Sequence, residues 1–267
     1  MLTISVSATD AVGATASTTV TATQSTVSTW PDAKNTGVPP GTSLTVMNGN
    51  QVITTPNLVL AGKDIRGTVD VRAAGVKIEK CKITVQNSWD WFAILTNGDT
   101  IIQDCTISGG NFGVNIINGG GAFRRNNIFG GENAIDPDDG SIIEDNYIHN
   151  MQAPGSPHYD GVECGGWSNQ NNITIRHNTI DLRPHDQTGT VNLTNDFGSI
   201  SNVLIENNML LGGSYSIYTD NSHGGGPITN ITIRNNVIDA YAFGPFYFKT
   251  VNPTHSGNKN LSGEPLD

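Results

Sequence analysis

Ile143-Glu-Asp-Asn146-Tyr-Ile148, Ile175-Arg-His-Asn178-Thr-Ile180, Ile205-Glu-Asn-Asn208-Met-Leu210 and Ile233-Arg-Asn-Asn236-Val-Ile238 are four copies of one phrase. It consists of an aliphatic residue, two variable residues, a small polar residue, one variable residue, and an aliphatic. Three earlier copies run Ile78-Cys81-Ile83, Ile102-Cys105-Ile107 and Phe123-Asn126-Ile128. The polar positions advance by 24, 21, 20, 32, 30 and 28 residues, which is the spacing of a solenoid whose later coils carry insertions. The step of three between aliphatic and polar residue breaks strand alternation, so the chain must turn a corner there. Asn tolerates left-handed backbone geometry, and its amide can bond the next Asn in a stack. The expectation is an internal ladder of Asn126, Asn146, Asn178, Asn208 and Asn236, with Cys81 and Cys105 in the same column.

Composition agrees with an all-β chain. Only 14% of the 267 residues are charged, while Gly supplies 31 positions, a makeup of turns and strands rather than of surface helices. A net charge of -10 with 14 Lys and Arg argues against nucleic acid as a partner, and no apolar run approaches a membrane span. Three scattered cysteines suit neither a disulfide framework nor a zinc site. Residues 1–10 have neither the basic nor the apolar stretch of a secretory signal. If Met1 is the native start, ordinary export is excluded and release by lysis, as for a virion component, remains; a longer native chain leaves secretion open.

The chain divides into four stretches. Residues 1–29 read as two alternating strands around a turn at Asp10 to Gly13. Residues 30–67 form a lead-in segment and N-terminal cap, in which Trp30 and the prolines up to Leu44 would cover the open end of the first coil. Residues 68–250 are the solenoid, and 251–267 a C-terminal cap or tail.

Each coil has a second strand, and in-register stacking would gather its outward residues into columns about 4.8 Å apart per coil. One expected column holds Asn115, Asp136, Glu163, Asn192, Tyr218 and Tyr247; a parallel one holds Asn97, Ile117, Asp138, Gly165, Thr194, Asp220 and Lys249. The middle of this face is acidic, through Asp136, Asp138, Asp160 and Glu163. Like charges at strand spacing repel unless a proton, cation or ligand compensates. The insertions at His149–His158, Asp181–Gln187 and Asn221–Pro227 should border the same columns, and loops on a rigid scaffold commonly carry recognition. Trp89, Trp91, Tyr218 and Tyr247 offer flat rings for sugar stacking.

From Thr68 to Lys249 the Asn-x-Ile repeats resemble the pectate-lyase-like right-handed β-helix superfamily. The resemblance implies a single-stranded right-handed parallel β-helix, all-β, with a short N-terminal β-hairpin extension. That hairpin looks like the last one of an immunoglobulin-like module, as in secreted bacterial and phage virion proteins. The superfamily includes lyases, hydrolases, epimerases, tailspikes and adhesins, so fold does not fix activity. Asp136-Pro137-Asp138-Asp139 resembles the Asp-Pro-His-Asp signature of mannuronan epimerases, with Asp138 where that signature has histidine.

The expectation is a carbohydrate-active β-helix, extracellular or on a virion surface, binding and degrading a polysaccharide or cell-surface glycan. Hydrolysis is favoured over lyase chemistry because Lys249 is the one base in the aligned columns. Asp136 and Glu163 are the expected acid/base or nucleophile pair, with Asp138 and Asp160 in support. His158, Tyr159, Trp167, Asn115, Asn192, Tyr218, Asp220, His223, Tyr247 and Lys249 are the expected substrate-binding set. No cofactor is required; calcium is the candidate ion, at Asp136, Asp138, Asp160 and Glu163. The alternative is a non-catalytic structural or adhesive module, such as a phage decoration or tail protein, with other virion or surface chains as partners.

Overall fold

The computed structural model describes residues 2–9, 15–22, 29–87, 89–165 and 169–267. Leu2–Thr9 and Thr15–Ala22 pair antiparallel as the expected hairpin. The expected turn at residues 10–13 lies outside the described residues. Thr45 to Ser256 winds through three parallel sheets of nine strands each. Each coil visits the three in a fixed order. The first sheet runs from Thr45–Asn48 to Val237–Asp239, the second from Gln51–Ile53 to Gly244–Lys249, and the third from Val59–Ala61 to Thr254–Ser256. Coils thus begin well before residue 68, inside the stretch read as lead-in.

The repeated phrase spans the corner between third and first sheets, and its two aliphatics form two continuous stacks. Ile78, Ile102, Phe123, Ile143, Ile175, Ile205 and Ile233 lie over one another in the third sheet. Ile83, Ile107, Ile128, Ile148, Ile180, Leu210 and Ile238 do so in the first. All are fully buried, so each contributes about 1.5–3 kcal/mol of burial free energy.

Between them stands the polar ladder. Asn126, Asn146, Asn178 and Asn208 each donate through Nδ2 to Oδ1 of the next Asn at 3.0 Å, and the backbone N–H of each donates to the same oxygen. A second Nδ2 bond runs to the carbonyl of the preceding coil's phrase, as from Asn178 to Ile143 at 2.9 Å. Cys105 joins the column, since its N–H donates to Asn126 and its sulfur accepts from the Cys81 N–H. At the far end the ladder extends one rung further, to Asn258, which Asp267 closes off. The left-handed residue at each corner is not the Asn itself but the one before it: Lys80, Asp104, Arg125, Asp145, His177, Asn207 and Asn235, at φ 50–60°. The Asn is there for its amide, which satisfies donors and acceptors that a buried corner would otherwise strand.

The lead-in segment does not cover the open end. Trp30 stacks on His177 with centroids 5.5 Å apart, the Gly37 N–H donates to the Arg125 carbonyl, and the Val38 N–H to Thr106 Oγ1. The segment therefore runs down the flank of the solenoid from a late coil to an early one before entering the first strand. At the other end, Lys259 bridges Val237 and Pro265, and Leu266 packs against the core, so residues 257–267 form a cap. Among the described residues no helix is long and apolar enough to cross a membrane.

Asn178→Ala should lower unfolding free energy by about 3 kcal/mol or more, because the Asn146 N–H and the Ile143 carbonyl lose buried partners together. Urea unfolding followed by circular dichroism measures it; a loss below that of an ordinary surface substitution would remove the ladder from its structural role.

Candidate functional site

Register decides which side chains meet on the second sheet. Ile135 pairs with Val162, Val162 with Val191, Val191 with Ile217, and Ile217 with Phe246, all inward. The next residue of each strand gives Asp136, Glu163, Asn192, Tyr218 and Tyr247, as expected. Asn115 does not belong there. Asn118 pairs with Asp136, whereas Asn115 pairs with Asn133 and Asn133 with Asp160, three positions upstream. The same offset displaces Ile117, a fully buried core residue, from the second expected column. The upstream half of the strand phrase, Asn133-Ala134-Ile135-Asp136 over Asp160-Gly161-Val162-Glu163, has a polar residue at both ends. Alignment from the small residue onward misses Asn133.

Asn133 is a hub: its Nδ2 donates to Glu163 Oε2 at 2.7 Å and to Asn115 Oδ1 at 3.3 Å, and its Oδ1 accepts from the Asp160 N–H at 3.2 Å. Over this sheet opens a groove of about 450 Å³. Asp160, Glu163 and Asn192 line its floor together with Asn133, and Tyr218 and Asp220 continue the floor one coil further. Its walls are Glu132, His158 and Thr188 where the chain enters the sheet, and Thr194, the last residue of its strand, with the loop residues Asp196 and His223 where it leaves.

Of the expected residues, Asp160, Glu163, His158, Asn192, Tyr218, Asp220 and His223 are thus brought together. Asp136, on the same strand as Asn133, and Asp138 fall outside the groove lining; Asp136 is buried and accepts from Asn118 Nδ2 at 2.9 Å, while Asp138 is exposed just after that strand. Tyr159 is buried, stacked on His185 with its hydroxyl at the Ala153 backbone, so it does not present a ring to the groove. Tyr247 packs against Tyr215 and Tyr218, and Lys249 pairs with Asp220 at 3.3 Å. Trp167 lies outside the described residues. Glu132, Asn133, Thr188 and Thr194 join the expected set, and Asp196 gains a place in it.

Electrostatically the two ends of the groove differ. At the exit end, His223 Nδ1 lies 2.8 Å from Asp196 Oδ1 and its Nε2 3.4 Å from Asp220 Oδ2, and Thr194 Oγ1 donates to Asp196 at 2.6 Å. Burial pulls the Asp220 carboxyl up, but the Ser222 hydroxyl and N–H and the Lys249 ammonium more than offset it and hold it below the usual range. At the other end, Glu132, Asp160 and Glu163 have no ion-pair partner among the described residues. Burial, then the charges of Asp196 and Glu132, push Glu163 up. Burial, then Glu163, push Asp160 well above the carboxylate range, against the pull of the Gly189 N–H and the Asn192 amide. Asp136 is raised to about 7 by burial, Glu163 and Asp138, with Asn118 opposing. Among the described residues no group of three or more His, Cys, Asp or Glu is arranged to hold a metal ion.

The three-sheet coil, the register and the repeated corner are now matched by one comparison. The model of the right handed beta helix region matches residues 46–185, just over half of the chain. The chain belongs to this family. No curated protein matches it, and no solved structure does. In this β-helix chain the matched region contains Glu132 to Glu163 but ends before Asn192, Asp196 and His223, so the groove straddles its boundary.

Because the folded carboxyl of Asp136 titrates above its unfolded value of about 3.9, its protonated form is favoured by folding. That contribution is complete below about pH 4 and is lost as pH rises through about 7. Asp136→Asn should therefore flatten the fall in melting temperature across that window and leave the variant more stable than wild type at mildly alkaline pH. Scanning calorimetry at several pH values checks it, and parallel curves for the two proteins would contradict it.

Proposed function

We propose that this β-helix chain binds a polysaccharide along its second sheet and hydrolyses it in the groove, with Glu163 as proton donor and Asp196 as the carboxylate that activates water. The observation that carries this reading is one concave face on which two partly exposed carboxyl groups sit in opposite environments. Glu163 is raised by burial and by neighbouring carboxylates, which suits a group that must arrive protonated. Asp196 is oriented by the Thr194 hydroxyl and by His223, which suits a group that takes a proton from water. Glycosidic hydrolysis needs such a pair flanking the scissile bond.

Asp136 and Asp160 are too deeply buried to touch a sugar. Tyr218 supplies the apolar contact: its ring is braced edge-on by Tyr215 and its hydroxyl bonds Ser214 at 2.8 Å, leaving a fixed platform on the groove floor. The pairing of acids with a braced ring favours glycan hydrolysis over a purely structural module. An extracellular or virion-surface setting, with a cell-surface glycan as partner, follows from the same reading, and no cofactor takes part in the chemistry.

Incubation with a panel of polysaccharides should release reducing ends without ultraviolet-absorbing unsaturated products, and chelator should leave the rate unchanged. Glu163→Gln should lower turnover on the order of 10²–10⁴-fold while leaving the melting temperature near that of wild type. Equal turnover by the variant would remove Glu163 from its role. Glycan binding with no turnover on any polymer would reassign the chain to adhesion.

A further inference from the structure

On the reading of the groove as a glycan site, its charge pattern identifies the class of glycan. We infer that the ligand is a cationic glycan, a hexosamine polymer with free, protonated amino groups, seated with an ammonium beside Glu132 and a sugar face against Tyr218. Three observations converge on it. First, among the described residues the ion pairs made by the groove's acids lie at one end, where His223 engages Asp196 and Asp220 and Lys249 engages Asp220; the His158 ring at the other end makes none of them. Glu132, Asp160 and Glu163 at the other end have no cationic partner among the described residues.

Second, their hydrogen bonds come from neutral donors only: the His158 N–H to Glu132, the Asn133 amide to Glu163, and the Gly189 N–H to Asp160. These fix the carboxyl groups in place without compensating their charge. A uronate would add like charge to this end, and an N-acetylated sugar would leave it uncompensated. Third, Asn192, on the groove floor and only 6% exposed, has an amide oxygen with no donor among the described residues. A buried acceptor left open in a binding groove calls for a donor from the ligand, and an amino sugar is rich in N–H and O–H donors.

The test is calorimetric titration of the full chain at mildly acidic pH and low temperature, where turnover is slow. The probes are a glucosamine hexasaccharide, its fully N-acetylated counterpart, an oligogalacturonate, and spermidine as a cation without sugar rings. The glucosamine oligomer should bind at least about tenfold more tightly than the acetylated one, and added salt should narrow the gap. Glu132→Gln, which keeps the acceptor for the His158 N–H, should weaken the glucosamine oligomer selectively. Equal or tighter binding of the acetylated oligomer or the uronate overturns the cationic assignment and leaves the glycan groove standing. Spermidine binding with no oligosaccharide binding, or no binding at all, overturns both.

Discussion

The structure depends on a column of buried amides. From Asn126 onward, each corner between the third and first sheets turns through a left-handed residue into a fully buried Asn, and the amide of that Asn bonds the coil before and the coil after. Sheet hydrogen bonds alone allow a strand to slip; a side-chain amide that must meet its counterpart in the next coil does not. One rung per coil therefore fixes the register of all three sheets. In the early coils Cys105 and Cys81 occupy the same column with weaker partners, sulfur replacing the amide oxygen as acceptor.

Fixed register has a cost on the second sheet. Asp136 and Glu163 follow the paired core residues Ile135 and Val162, and Asp160 lies on the same strand as Glu163, so acids from neighbouring coils cannot move apart. Their carboxyl groups are satisfied by Asn118, Asn133, the Gly189 N–H and Asn192, all uncharged. A fold selected for stability alone would place an Asn or a Thr at such positions. The arrangement stores electrostatic repulsion at the point where the groove opens, which is where a ligand can relieve it.

The solenoid was legible because its signal is periodic: one phrase repeated seven times carries the corner, the two aliphatic stacks and the ladder at once. Where the signal is conformational rather than compositional, sequence reading went astray. The left-handed position falls on residues as unlike as Lys80, Arg125 and His177, which share no side-chain trait, so the turn was credited to the neighbouring Asn. Asn115 was stacked with Asp136 because Gly113-Val114-Asn115 imitates Gly161-Val162-Glu163; the true match, Ile117-Asn118, lacks the small residue that guided the alignment. Trp30 reads as a cap by composition, yet it finds its partner on the flank, at His177, a contact between residues far apart in sequence that no local pattern encodes. Tyr159 looked like a ring for a ligand and is instead a ring for His185.

Coil length explains why the groove lies where it does. The rungs at Asn126 and Asn146 are 20 residues apart, enough for three short strands and three tight corners and nothing more. The next three steps are 32, 30 and 28 residues; the surplus goes into the connection before the second sheet in the first two of these coils, into the one after it in the third, and into third-sheet strands of seven residues rather than three. His158 and Thr188 rise on one side, Asp196 and His223 on the other. Walls of this kind require surplus chain in successive coils, since a single long loop would make a flap rather than a trough. Asp160 and Glu163 of the floor come from the first of these long coils and Glu132 of the wall from the coil beneath it, whereas Tyr218, Asp220 and His223 belong to a later one. The groove therefore runs along the axis of the solenoid, with its unpaired carboxylates at one end and its ring and ion-paired acids at the other, and a ligand that fills it must span several coils and carry different chemistry at its two ends.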